Sequence, residues 1–382
     1  MRADIYKAIK MIFARVTRTL MFVVTPKTAI GLQDNGRAAL ILVTLITMTM
    51  QTAWAEVEIN KTNFPDEKFR SWLLHQEYGT DGMLTDTEIA EITYISVSNK
   101  GIQSLKGIEF FTALTSMWCD KNNLTTLDIS KNTALTWLVC SDNQLTILEL
   151  SNNTMLYSIF CSNNQLATLN VTQNPSLTQL DCSGNQLTFL DVSQNTTLTN
   201  LNCDHNLLTM LDVSHNTSLT WLVCSDNQLT NLDMSKNTEL EYLYCDNNLL
   251  TMLDMSKNTK LTQLHCYRNQ IRGTKMDAMV ESLPYNMTIS HLYVIHKDNE
   301  QNVMTTMQVA VAKDRGWTPI YYDGNSWQEY AGSDPSCIKV IDNEKLMENE
   351  EDAWFKLDGY RLSDRPSQRS VYVNKGRKII IK

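Results

Sequence analysis

Glycine and proline are scarce in this chain, thirteen and seven among 382 residues, while 43% of it is apolar. A composition that apolar is not that of a disordered protein, and the length is too great for a disulfide miniprotein despite nine cysteines. Basic residues are in deficit: 33 Lys and Arg stand against 42 Asp and Glu, a formal charge of −9. Phosphate binding needs a basic face, so nucleic acid is excluded as the main partner. Histidine is rare too. The six copies, at 75, 205, 215, 265, 291 and 296, are scattered, and there is no serine elbow, metal-spaced His pair or glycine-rich phosphate loop. The expectation is a protein that is not an enzyme and needs no cofactor and no metal.

The apolar run Ala38 to Met50 has thirteen residues, short of the ~20 of a membrane span. Arg37 precedes it, and Ala53-Trp54-Ala55 and then Glu56 follow it. A basic flank, a short apolar core and a small-x-small site make residues 1–55 a secretory signal cleaved after Ala55; the alternative is a retained anchor helix. The membrane then matters only during export or surface anchoring. Charge is partitioned along the chain. Residues 1–55 hold seven basic residues and two acids, residues 356–382 eight and two, and residues 56–355 hold 18 basic and 38 acidic residues, a balance of −20.

What is abundant is repetition. Cys119, Cys140, Cys161, Cys182, Cys203, Cys224, Cys245 and Cys266 stand 21 residues apart in the frame L-x-x-L-x-C-x-x-N-x-L-x-x-L-[D/E/N]-ϕ-x-x-N, where ϕ is Val, Ile, Leu or Met; Met117 and Ile159 stand in for the second Leu, and the last copy keeps the frame as far as Asn269. One copy runs Leu135, Leu138, Cys140, Asn143, Leu145, Leu148, Leu150, Asn153. Period and pattern define a leucine-rich repeat, an α/β repeat class in which stacked turns form a solenoid with a parallel sheet on its concave face. Leu and Cys at alternate strand positions face inward, and the two Asn series suit buried ladders that satisfy backbone groups left open by the turns. Too few residues remain between strands for a helix on the far side. The repeated acids Asp128, Glu149, Asp191, Asp212, Asp233 and Asp254 read as turn-capping residues, and the cysteines as free, buried, inert thiols.

This pattern resembles the nested 21-residue repeats of Bacteroidetes surface proteins, whose inner strand carries Cys, and more loosely the internalins. The resemblance covers residues 92–271, the first repeat having 22 residues and no Cys. It implies a cell-surface scaffold. Ahead of the repeats, residues 56–91 make a helical cap with an EF-hand-like loop, Glu77 to Glu88, degenerate because Gly79 stands where a carboxylate belongs. Thr85-Asp86-Thr87-Glu88 is a capping box. Residues 272–332 form a βα-type cap extending the sheet, and 333–353 an acidic linker. The basic tail, 354–382, has apolar segments around Asn374-Lys375-Gly376, a terminal β-hairpin. It also resembles the sorting domain of the type IX secretion route, which implies delivery to the outer membrane surface.

The positions that vary from turn to turn point to the concave face. They form two aromatic groups: Trp118, Trp137 and Phe160, then Trp221, Tyr242, Tyr244, His265 and Tyr267. Aromatics grouped on a rigid sheet suit a protein ligand, with an acidic surround favouring basic partners; a glycan is the alternative. Ordinary strand packing is the bland reading of the same rings. The expected function is adhesion through this face.

Overall fold

The computed structural model describes residues 56–333 and, beyond them, the strands Trp354–Lys356, Arg361–Leu362, Ser370–Asn374 and Arg377–Ile381. The expected signal (1–55), nearly all of the acidic linker and Cys337 lie outside the described residues.

The cap begins with β1 (Glu56–Glu58), which pairs antiparallel with β2 (Met83–Thr85) around α1 (Glu67–Leu74). Asp66 starts α1 by accepting from Lys68 N and Phe69 N, and its second oxygen accepts from Gln103 N at 2.8 Å and Ser104 N at 3.2 Å. One carboxylate thus caps the helix and fastens it to the first turn of the solenoid. Gly107 is required at the same seam: its φ is +106°, and a Cβ there would fall 2.2 Å from the Phe64 ring. The capping box is formed at α2 (Asp86–Glu91), where Glu88 accepts from Thr85 N and Thr85 Oγ1. The twelfth position of the EF-hand-like loop is therefore engaged in the helix cap.

Nine parallel strands of three residues follow: β3 (Tyr94–Ser96), β4 (Ser116–Trp118), β5 (Trp137–Val139), β6 (Ser158–Phe160), β7 (Gln179–Asp181), β8 (Asn200–Asn202), β9 (Trp221–Val223), β10 (Tyr242–Tyr244) and β11 (Gln263–His265). They pair in strict sequence, as in Leu138↔Ile159 and Leu201↔Leu222, so each residue sits beside its equivalent one turn away. The sheet continues through β12 (Ser290–His296) and β13 (Trp317–Tyr322), both parallel, and ends on antiparallel β14 (Trp327–Glu329). Two helices, α3 (Thr274–Ser282) and α4 (Thr306–Asp314), back these last strands. In the tail, β15 (Trp354–Lys356), β16 (Arg361–Leu362), β17 (Ser370–Asn374) and β18 (Arg377–Ile381) make a four-stranded antiparallel sheet in which β17 and β18 are a hairpin.

One core runs the length of the solenoid, and every Leu, Cys and ϕ position of the frame lies in it. Two files of asparagine hold the turns. Asn143, Asn164, Asn185, Asn206, Asn227, Asn248 and Asn269 each donate to the Cys carbonyls of their own and the preceding turn. In the second file Asn195 donates to Val171 O and Asn174 O, and Asn216 to Val192 O and Asn195 O. The acids cap turns: Asp128, Asp191, Asp212, Asp233 and Asp254 each accept from the amide two residues on.

The eight ladder cysteines are free and buried. In-register neighbours turn their sulfurs to the next strand's carbonyls, as Cys182 does to Asn202 O at 3.5 Å and Cys245 to His265 O at 3.3 Å. Burial pushes the thiols up, that of Cys203 to about 12. All eight are expected to resist Ellman's reagent in the native protein and to react together in guanidinium; prompt titration of more than one of the nine thiols in the native chain would refute the buried ladder.

Candidate binding face

The residues singled out on the concave side fall into two arrays set by the 21-residue register. Trp137 lies against Phe160 with centroids 5.7 Å apart, and Tyr157 meets its edge at 5.6 Å. Tyr157 breaks a column of threonines at 115, 136, 178, 199 and 220, a sequence signal that the inward and outward alternation passes over. Trp118, 39% exposed, shares a column with Phe160 but has Val139 between them, while Trp137 occupies the column of Ser116 and Ser158. The Trp137 indole N–H is buried without a partner. Trp137 is thus half part of the packing, whereas Trp118 is presented to solvent.

The second array is larger than the sequence suggests. Trp221, 37% exposed, faces its in-register neighbour Tyr242 at 4.9 Å and touches Tyr244 at 5.7 Å. Tyr244 lies 4.2 Å from His265, which stacks on Tyr293 at 3.9 Å. Tyr267 stacks on His296 and meets Trp327 at 5.1 Å, and Trp327 also reaches Tyr293 and Tyr322. All five predicted members are joined, and Tyr293, His296, Tyr322 and Trp327 from the C-terminal cap continue the surface.

Its electrostatics are set by burial. Asp246, only 6% exposed, accepts from Ser225 Oγ at 2.8 Å and from the Tyr267 hydroxyl, and desolvation pushes its carboxyl up to about 6. His265 is held neutral, burial lowering it to about 4, and its Nε2 contacts Gln263 Nε2 at 2.8 Å. Ser158, Ser225 and Asp246, whose strand positions alternate with the inward Leu and Cys, are nonetheless buried; Ser158 donates to Gln179 Oε1 and Ser225 to Asp246 Oδ1 of the next turn. The two arrays are separated by polar turns carrying Gln179, Asp181, Asn200 and Asn202. Among the described residues no helix is long and apolar enough to cross a membrane.

Stacked 21-residue turns, a parallel concave sheet and paired asparagine files define a leucine-rich-repeat solenoid. More particularly, it is internalin-like, with a cysteine ladder: the functional domain of InlJ from Listeria monocytogenes, which includes such a ladder, matches with TM-score 0.59 and 35% identity over 68% of this chain and 56% of that one. Internalin J of L. monocytogenes serotype 4b (strain F2365) is 39% identical over 70 residues, 18% of this chain and 8% of that protein. An internalin, InlF, of the same strain is 19% identical over 71% of this chain and 98% of its own, with TM-score 0.44. The chain therefore spans little more than half of the solved InlJ domain and a small part of the full-length relative. No protein-family model matches it.

Proposed function

We propose that this protein is an exported cell-surface scaffold that binds a protein ligand through its concave face, in adhesion. The observation that carries this reading is the contiguous array from Trp221 to Trp327, in which exposed and half-buried rings from six successive strands, β9 to β14, share one surface. Aromatic side chains bring large contact area at small entropic loss, which is why they anchor protein interfaces. The array takes in Tyr242, Tyr244, His265 and Tyr267; Trp118, Trp137 and Phe160 form a second anchor patch. The likeness to internalins supports a role at the surface. Export rests on the basic-apolar-small pattern of residues 1–55, and delivery to the outer membrane on the resemblance of the basic tail to a type IX sorting domain.

The acidic body, −20 over residues 56–355, favours a partner with basic residues around an apolar patch. Immobilised full-length protein is expected to retain a discrete protein from host or bacterial surface extracts, with binding that weakens as salt rises, and to leave a glycan array blank. Saturable binding to one sugar class with no retained protein would replace this reading with the glycan one.

A further inference from the structure

Between the two aromatic arrays lies a group that the binding face leaves unused. Positions 205 and 226 are equivalent places in successive turns, so His205 and Asp226 are neighbours across the solenoid, and Asp204 precedes the histidine. His205 Nδ1 lies 2.8 Å from Asp204 Oδ1 and its Nε2 lies 3.5 Å from Asp226 Oδ2. One ligand atom from each residue falls within 4.8 Å of the others. The backbone holds them there: His205 and Asp226 are both left-handed, φ 50° and 48°, and their amides donate to Ser225 O and Asp246 O of the following turns.

A second observation concerns Asp204. Its Oδ1 is buried, with the His205 imidazole 2.8 Å away as its near polar neighbour. A carboxylate oxygen removed from water with so few polar neighbours is poorly solvated. Asp226 has one oxygen occupied by Asn247 Nδ2, which leaves Oδ2 on the side of the histidine. Two carboxylates and an imidazole converge where a positive charge would replace the lost solvation.

We infer that Asp204, His205 and Asp226 form a site for one divalent transition-metal ion of the zinc or nickel kind. One imidazole nitrogen with two carboxylate oxygens suits these borderline ions, which take such donors at about 2.0–2.2 Å, better than calcium, which takes six to eight oxygens. The imidazole, whose side chain is 64% exposed, is free to turn from bridging the carboxylates to presenting one nitrogen. Three protein ligands leave the remaining positions open to solvent, as in sites that accept an outside ligand. The equivalent places in neighbouring turns are Gly184 before His205 and Asn247 after Asp226, so the donor set occurs once along this column.

Calorimetric titration of the full-length protein with ZnCl2 is expected to show one ion bound with micromolar affinity, and CaCl2 no heat. H205N and D226N are each expected to weaken zinc binding about tenfold or more, a loss of the size ligand-shell changes produce. Asn tolerates the left-handed backbone at 205 and matches the shape of Asp at 226, so metal-free melting temperatures should stay near that of the wild type. Absence of zinc binding up to millimolar concentration overturns the site. So does unchanged affinity in both variants, which would put the ion on other donors.

Discussion

Asn185→Ala is expected to remove about 3–5 kcal/mol from the unfolding free energy, a large share of the stability of an ordinary domain. The side chain is buried, and its amide donates to Cys161 O at 3.1 Å, Cys182 O at 3.0 Å and Ser183 O at 3.1 Å while its oxygen accepts from Leu166 N at 3.0 Å. Alanine leaves a buried N–H and at least one buried carbonyl unpaired and opens a cavity, each of which costs about 1–3 kcal/mol. Asn185→Asp should be no better, since it keeps the acceptor, loses both donors and buries a charge. Each turn contacts only its neighbours, so the lesson of a mid-solenoid lesion is also cooperative: urea unfolding should broaden or split as the flanking turns uncouple. Asn152→Ala is the control. That side chain is exposed, with one bond to Ser130 O at 3.2 Å, and its loss should change stability by under about 0.5 kcal/mol. Equal midpoints for the two alanine variants would mean that the asparagine file is ornamental.

The asparagine files were legible because an invariant residue type at an invariant spacing can satisfy only an invariant backbone need. The same holds for the Leu and Cys positions: a period of 21 with one inward face per strand admits one stacked core. Legibility ends where the period ends. From β11 to β12 the pairing advances by 28 residues, Gln263↔His291, and from β12 to β13 by 27, His291↔Thr318, so a search at 21 does not carry Tyr293 or Tyr322 onto the concave surface. The alternation inside β12 does mark Leu292 and Val294 as inward and Tyr293 as outward, a local signal that becomes useful only once the strand is known to join the sheet. Trp327 reaches the array from an antiparallel strand at the sheet edge, and its landing among Tyr267, Tyr293 and Tyr322 depends on tertiary geometry that no local pattern encodes. The pairing of His205 with Asp226 is hidden differently. Histidines that look scattered along the chain are compared with the wrong neighbours, since in a solenoid the relevant neighbour is one turn away.

The joint variant Trp221→Ala, Tyr242→Ala is expected to lower affinity for the protein partner by at least about 100-fold, since an aromatic hot-spot anchor contributes about 2–4 kcal/mol. These two rings face each other at 4.9 Å at the open end of the larger array, and Trp221 is among its most exposed members. Their truncation removes contact area from the surface while Leu222 and Leu243, the inward residues of the same strands, keep the core intact. The melting temperature should therefore fall by only a few degrees, the shift that about 1 kcal/mol produces. Trp137 is the poorer test: packed against Phe160 and Tyr157 with its N–H buried, it would lose stability and binding together. Phe189→Ala supplies the opposite control, being 60% exposed but placed between Leu187 and Leu190, away from the concave strands. Surface plasmon resonance on the captured partner should find that variant unchanged. If Phe189→Ala abolishes binding and the Trp221, Tyr242 variant does not, the partner sits on the outer edge of the solenoid, and the concave rings serve only to cover one turn with the next.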